Sequence, residues 1–184
     1  MSDMKVLKEM LNNSALVKIE KHYSTCKTTL IEPQCNDSSV EISFIPENAV
    51  VLKIDNFPAP ASLFNGKRGE CKRADYAIIA QSDGKKRVLF IELKRIKDSK
   101  NEIIQQMKGS TCCYHYLQEI GKHFWNKPDF LNGFEFRYIS FGHTSVRKQR
   151  TRITKDSLKK HDSPENMMKI DWPSNIRFNH LAGA

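Results

Sequence analysis

A chain of 184 residues with 39% hydrophobic and 28% charged content is long enough for one well-filled domain, and it excludes a disordered or fibrous polypeptide. Its 30 Lys and Arg outweigh 21 Asp and Glu, a net charge of +9 that favours polyanions, nucleic acid ahead of an anionic membrane surface. No run approaches the roughly 18 apolar residues of a membrane span and the N-terminus lacks a signal-peptide pattern, so a cytoplasmic location without membrane partners is the default expectation.

Residues 3–21 carry Val6, Leu7, Met10, Leu11, Ala15, Leu16 and Ile19 at a helical period, with Ser2 or Asp3 as cap and Asn12-Asn13-Ser14 as a break point. The five cysteines are odd in number and form no Cys-x-x-Cys pair, which argues against a disulfide framework. His22, Cys26 and Cys35 match no regular zinc spacing. Stretches 28–31, 40–45 and 50–54 are β-branched and predict strands that extend the sheet or cover one of its faces. Residues 57–69, with Pro58, Pro60 and Gly66, predict a loop. It leads into Lys72 and Arg73, which with Lys67 and Arg68 put four cations within seven positions, a density suited to phosphate contact.

The next stretch, Arg73 to Lys94, is apolar at both ends and has Asp83-Gly84 at its centre, a strong hairpin-turn signal. A two-residue turn there pairs Ser82 with Lys85 and, counting outward, Tyr76 with Ile91 and Asp75 with Glu92. Asp75 and Glu92 then share one face, and Lys94, two residues beyond Glu92, shares it too. Like charges opposite one another destabilise a sheet, so an offsetting cation is expected. Two hard oxygen donors suit a magnesium-type cation, which keeps several waters and takes its remaining ligands from substrate phosphate.

Residues 100–120 carry Ile103, Met107, Ser110, Tyr114 and Leu117 on one helical stripe, with Asp98 or Ser99 as cap, Gln106 beside the stripe and Gln105 as its rival. Gly133 to Gly142 is aromatic-rich and predicts another core strand. Arg147, Lys148, Arg150, Arg152 and Lys155 form the densest basic run, a second candidate for phosphate contact. The tail from 159 is expected to be partly ordered.

Asp at the start of one strand, Glu-x-Lys at the end of the next and Gln in the following helix resemble the PD-(D/E)xK nuclease superfamily. Asp75, Glu92, Lys94 and Gln106 carry the resemblance, which covers about residues 72–116, with Ala74 where the family name has Pro. Glu70-Cys71-Lys72 with Asp55 upstream repeats the pattern in a polar loop without strand character, and Pro128-Asp129 follows Glu-x-Lys in the wrong order. In several relatives a Glu of the first helix joins the metal, a role open to Glu9 or Glu20. The resemblance implies an α/β fold with a restriction-endonuclease-like core, a central mixed β-sheet flanked by helices. It implies one domain over 1–184, with a basic C-terminal extension from about 143.

The activity implied is Mg²⁺-dependent phosphodiester hydrolysis as an endonuclease, on DNA ahead of RNA. Asp75 and Glu92 would hold the Mg²⁺ (or Mn²⁺), with the main-chain carbonyl of Leu93 as a further ligand; Lys94 would orient water or stabilise charge, and Gln106 would steady water, phosphate or the lysine. At this size specificity would come from loops, a homodimer or a partner protein. The alternative is a non-catalytic nucleic-acid-binding subunit of a larger assembly on the same fold.

Overall fold

The computed structural model describes residues 1–32, 35–82, 84–94, 99–142 and 160–183. In chain order these form α1 (Asp3–Met10), β1 (Leu16–Val17), β2 (Glu20–His22), β3 (Thr25–Glu32), β4 (Cys35–Ser43), β5 (Val50–Lys53), β6 (Tyr76–Ser82), β7 (Lys85–Lys94), α2 (Lys100–Phe124), β8 (Glu135–Gly142), β9 (Met168–Ile170), β10 (Asn175–Arg177) and α3 (Phe178–Ala182). They build a mixed α/β fold with two mixed sheets, one of six strands in the order β1-β5-β6-β7-β8-β9 and one of four in the order β10-β4-β3-β2. Among the described residues no helix is long and apolar enough to cross a membrane.

The β6–β7 hairpin lies at the centre of the larger sheet, and its register is the one the turn predicts, from Ser82↔Lys85 to Tyr76↔Ile91. Gly84 has φ +74°, the left-handed backbone such a turn requires; Asp83 lies outside the described residues. Ala77, Ile79, Val88 and Phe90 point to one face, where Met4, Val6 and Leu7 of α1 and Met107, Tyr114 and Leu117 of α2 cover them. Ile78, Ala80, Leu89, Ile91 and Leu93 point to the other, against Leu30, Val40 and Ile42 of the smaller sheet and Phe178 and Leu181 of α3. Burial on both faces explains why these strands read as nearly continuous apolar runs rather than as a clean alternation.

Three expectations change. The second face is covered chiefly by a four-stranded sheet rather than by helices, the covering role open to the strands of 28–45, since β3 and β4 pair antiparallel. The helix expected over 3–21 stops at Met10: the Asn12 side chain accepts from Ser14 N–H at 2.9 Å, and Leu16 and Val17 pair with β5 instead. The tail from 160 is integral to the fold. Its β9 extends the larger sheet beside β8, its β10 extends the smaller beside β4, and α3 closes the core between them. Arg137 Nε and Arg87 Nε donate to the carbonyl of Ala182 at 3.2 and 3.3 Å, cations placed where the α3 dipole is negative.

α2 is capped by Ser99, whose side chain accepts from Glu102 N–H at 3.2 Å. It approaches its neighbours closely at two glycines. A Cβ at Gly109 would stand 1.8 Å from the carbonyl oxygen of Lys72, and one at Gly121 would stand 2.0 Å from the ring of Phe130. Gly→Ala in a helix ordinarily gains about 1 kcal/mol. At Gly109 the obstacle is backbone, which no rotamer change relieves, and overpacking of about 1–3 kcal/mol should win. Gly109→Ala is therefore expected to lower the urea midpoint with little change in m-value, against the gain that helix propensity alone would produce.

Candidate active site

The segment entering β6 is held from both sides before it reaches Asp75. Ala74 N–H donates to Ser110 Oγ at 2.8 Å, and Ser110 Oγ donates in turn to the Gln106 carbonyl at 3.1 Å, which ties the segment to α2. On the opposite side Ile54 N–H donates to the Asp75 carbonyl at 3.0 Å. One turn of α2 beyond Gln106, Gly109 lies against the Lys72 carbonyl. The position of Asp75 is thus set by the turn that follows β5, by β7 and by α2 together.

Asp75 and Glu92 then lock reciprocally. Asp75 N–H donates to Glu92 Oε2 at 3.2 Å, and Leu93 N–H donates to Asp75 Oδ2 at 2.7 Å. Lys94 Nζ lies 3.0 Å from Glu92 Oε1, its side chain 21% exposed while that of Glu92 is wholly buried. The Gln106 side chain donates to Glu92 as well, stabilising its ionised form. Alternation along β7 puts all of these on the α2 side of the sheet.

Burial dominates the electrostatics. It pushes Asp75 up to about 7, opposed by the Leu93 N–H and reinforced by the charge of Glu32. It pushes Glu92 up to about 8, reinforced by the charge of Asp75 and opposed by Lys94 and Gln106. Two desolvated carboxylates with rising pKa values hold negative charge poorly in isolation and would be relieved by a cation.

The residues fit a hard divalent cation. Asp75 and Glu92 supply carboxylate oxygens. The Leu93 N–H faces Asp75, and in an antiparallel ladder the carbonyl of the same residue faces the same strand, so a main-chain oxygen is aimed at the same edge. Gln106 Oε1 is buried without a hydrogen-bond partner among the described residues. Among the described residues no three His, Cys, Asp or Glu side chains converge on one metal position. Such an ion would thus draw its remaining ligands from water and substrate oxygens, as Mg²⁺ commonly does.

The other expected site residues are distributed unevenly. Gln105, the rival to Gln106, packs instead under Gly69, where a Cβ would stand 2.6 Å from Gln105 Cδ. Lys72 pairs with Glu102 of α2 at 3.0 Å, and Arg73 Nη1 donates to the Cys71 carbonyl at 2.7 Å. Lys67 and Arg68 are exposed on the loop before them. Arg147, Lys148, Arg150 and Arg152 lie outside the described residues. Glu9 is exposed on α1, and Glu20 is exposed on β2 of the other sheet.

Sequence reasoning missed Glu32, which is 5% exposed on β3 and raises Asp75 through its charge. Thr28, Leu30 and Glu32 alternate on the buried face of that strand. Extending the expected strand by one residue would have put an acid there.

Comparisons with protein-family models, with curated proteins and with solved structures give no match to this chain.

The raised carboxylates have a signed consequence for stability. An acid whose folded pKa exceeds its unfolded value keeps its proton longer in the native state. Its contribution is most favourable below about pH 4, is lost as pH rises through about 7 and 8, and is constant above. Asp75→Asn keeps an acceptor for Leu93 N–H and removes the charge. Urea titrations should find the variant more stable than the parent at pH 8, with the gap closing towards pH 4.

Proposed function

We propose that the chain is a divalent-metal-dependent nuclease that hydrolyses phosphodiester bonds of nucleic acid, DNA ahead of RNA, on a core of the restriction-endonuclease-like kind. The observation that carries this reading is the reciprocal lock of Asp75 and Glu92, with Lys94 3.0 Å from Glu92, at one end of a central hairpin. Burying two carboxylates side by side is a poor way to build a stable domain, and such strain concentrates where a site needs it.

Asp75, Glu92 and the Leu93 carbonyl would hold Mg²⁺ or Mn²⁺. Bound there, the ion would lower the pKa of a coordinated water and neutralise charge developing on the phosphate. Lys94 acts as a point charge beside the scissile phosphate, its ammonium held by Glu92 on a stem that is still partly open to solvent. Gln106 donates to Glu92 and so holds that metal-binding carboxylate in place and ionised. Lys67 and Arg68, exposed on the loop preceding Asp75, take flanking phosphates. The +9 charge supports long-range capture of a polyanion. Specificity would come from the loops, a second copy of the chain or a partner protein.

Three variants test the assignment. Asp75→Ala, Glu92→Ala and Lys94→Ala are each expected to lower metal-dependent cleavage of a DNA and RNA panel by at least about 10²-fold, the scale of losing one preorganised charge-stabilising group. They should differ in calorimetry with Mn²⁺. Loss of either carboxylate weakens metal binding, whereas loss of Lys94 removes a competing cation and leaves metal binding intact or tighter. Metal affinity that survives both carboxylate replacements would remove the site. A parent protein that retains DNA without cutting any substrate would assign the chain to non-catalytic binding.

A further inference from the structure

The loop before Asp75 and the middle of α2 enclose a second feature that the proposed hydrolysis does not use. Phe57, Glu70, Lys72 and Arg73 from the loop and Gly109 and Tyr116 from α2 line a cleft of about 180 Å³. A cavity of about 150 Å³ admits benzene, so there is room for one flat ring. The rings of Phe57 and Tyr116 meet edge to face, with centroids 5.3 Å apart and planes at 79°. Tyr116 is 52% exposed, far more than the other two tyrosines that pack in the hydrophobic cores from α2 and β8.

The polar groups around this aromatic floor are mostly cationic. Lys67, Arg68, Lys72 and Arg73 lie in the same loop as one acid, Glu70, whose carboxylate accepts from the Arg68 backbone N–H at 2.8 Å. Lys72 is engaged by Glu102. Arg73 Nε is buried and has no hydrogen-bond partner among the described residues, although Nη1 of the same guanidinium is satisfied. Leu63 and Phe64, both exposed, add apolar surface to the same loop. An exposed aromatic ring beside a basic loop is the recognition chemistry of single-stranded nucleic acid: rings stack on bases and cations follow the phosphates.

We infer that this cleft is a subsite for one unstacked nucleobase, with Tyr116 as its stacking platform and the exposed cations of the loop before Asp75 as contacts for the flanking phosphates. The inference rests on the nuclease reading of the carboxylate site for its place beside the scissile phosphate. Tyr116 stands ten residues along α2 from Gln106, about 15 Å of helix, so the base would lie a few nucleotides from the bond cleaved. A base inside a duplex presents only its edges to a protein. The strand occupying the cleft is therefore single-stranded there, and substrates with single-stranded segments, frayed ends or flaps should be preferred over intact duplex.

The test is fluorescence anisotropy in EDTA, where cleavage is silent, with a labelled single strand, the same strand carrying a run of abasic sites, and a blunt duplex. Parent protein should bind the base-bearing strand roughly tenfold more tightly than the abasic one, the scale of one base–aromatic stack. Tyr116→Ala should lose that margin while keeping its affinity for the abasic strand and its salt dependence, because no phosphate contact is removed. Tyr116→Phe should retain the margin. Equal binding of base-bearing and abasic strands by the parent, or an unaltered margin in Tyr116→Ala, would overturn the subsite while leaving metal-dependent cleavage as separate evidence for the nuclease. Should Tyr116→Ala fail to fold, the parent's comparison of the two strands still decides. Base-dependent binding without cleavage would support the subsite and remove the nuclease reading. Failure to bind any nucleic acid would overturn both.

Discussion

The register of the β6–β7 hairpin is the constraint on which the remainder of this molecule depends. In a sheet with one solvated face, a slip of one residue is prevented by the hydrophobic pattern, since it would turn the apolar set towards water. Here both faces are buried, and a slipped strand would still meet apolar neighbours. What opposes a slip is the turn at one end and the charges at the other. Gly84 supplies the positive φ that closes a two-residue loop. Glu92, wholly buried, finds Asp75 N–H and Lys94 only on the α2 face; on the other it would lie in the apolar layer with Leu89 and Ile91. The same carboxylate that strains the core thereby helps to define its pairing.

That strain is held in check by local geometry rather than by solvent. Each carboxylate receives at least one backbone N–H from the neighbouring strand, and Glu92 also meets an ammonium and an amide. Backbone donors and a short-range cation recover part of the hydration energy lost on burial, while the raised pKa values show that they do not recover all of it. A site of this kind is more sensitive to an added cation than an exposed pair of acids would be, because low local dielectric strengthens every charge–charge term.

α2 provides the other wall, and its small residues set the distance. Ser110 takes the Ala74 N–H, Gly109 admits the Lys72 carbonyl, and Gln106 faces Glu92, all within two turns. The same face continues past Gly109 to Tyr116 and forms the cleft beside Phe57. The carboxylate site and the aromatic cleft are therefore neighbours on one rigid helix, and a change that moved α2 would alter both.

By itself the sequence determined what depends on neighbours along the chain. The hairpin register, the helix beginning after Ser99 and the strand ending at Gly142 follow from turn residues, capping chemistry and short-period alternation, each of which acts over a few positions. With the register came the shared face of Asp75, Glu92 and Lys94. Tertiary structure decided what depends on partners far away in sequence. The three-residue strands of 168–170 and 175–177 carry no usable periodicity and exist because β8 and β4 offer unpaired edges. The covering of one sheet face by a second sheet, the burial of Glu32 near Asp75 and the choice of Gln106 over Gln105 all turn on which surfaces meet. Side-chain alternation tells which residues share a face, but only packing tells what that face is pressed against, and the desolvation that raises the two carboxylates comes from packing alone.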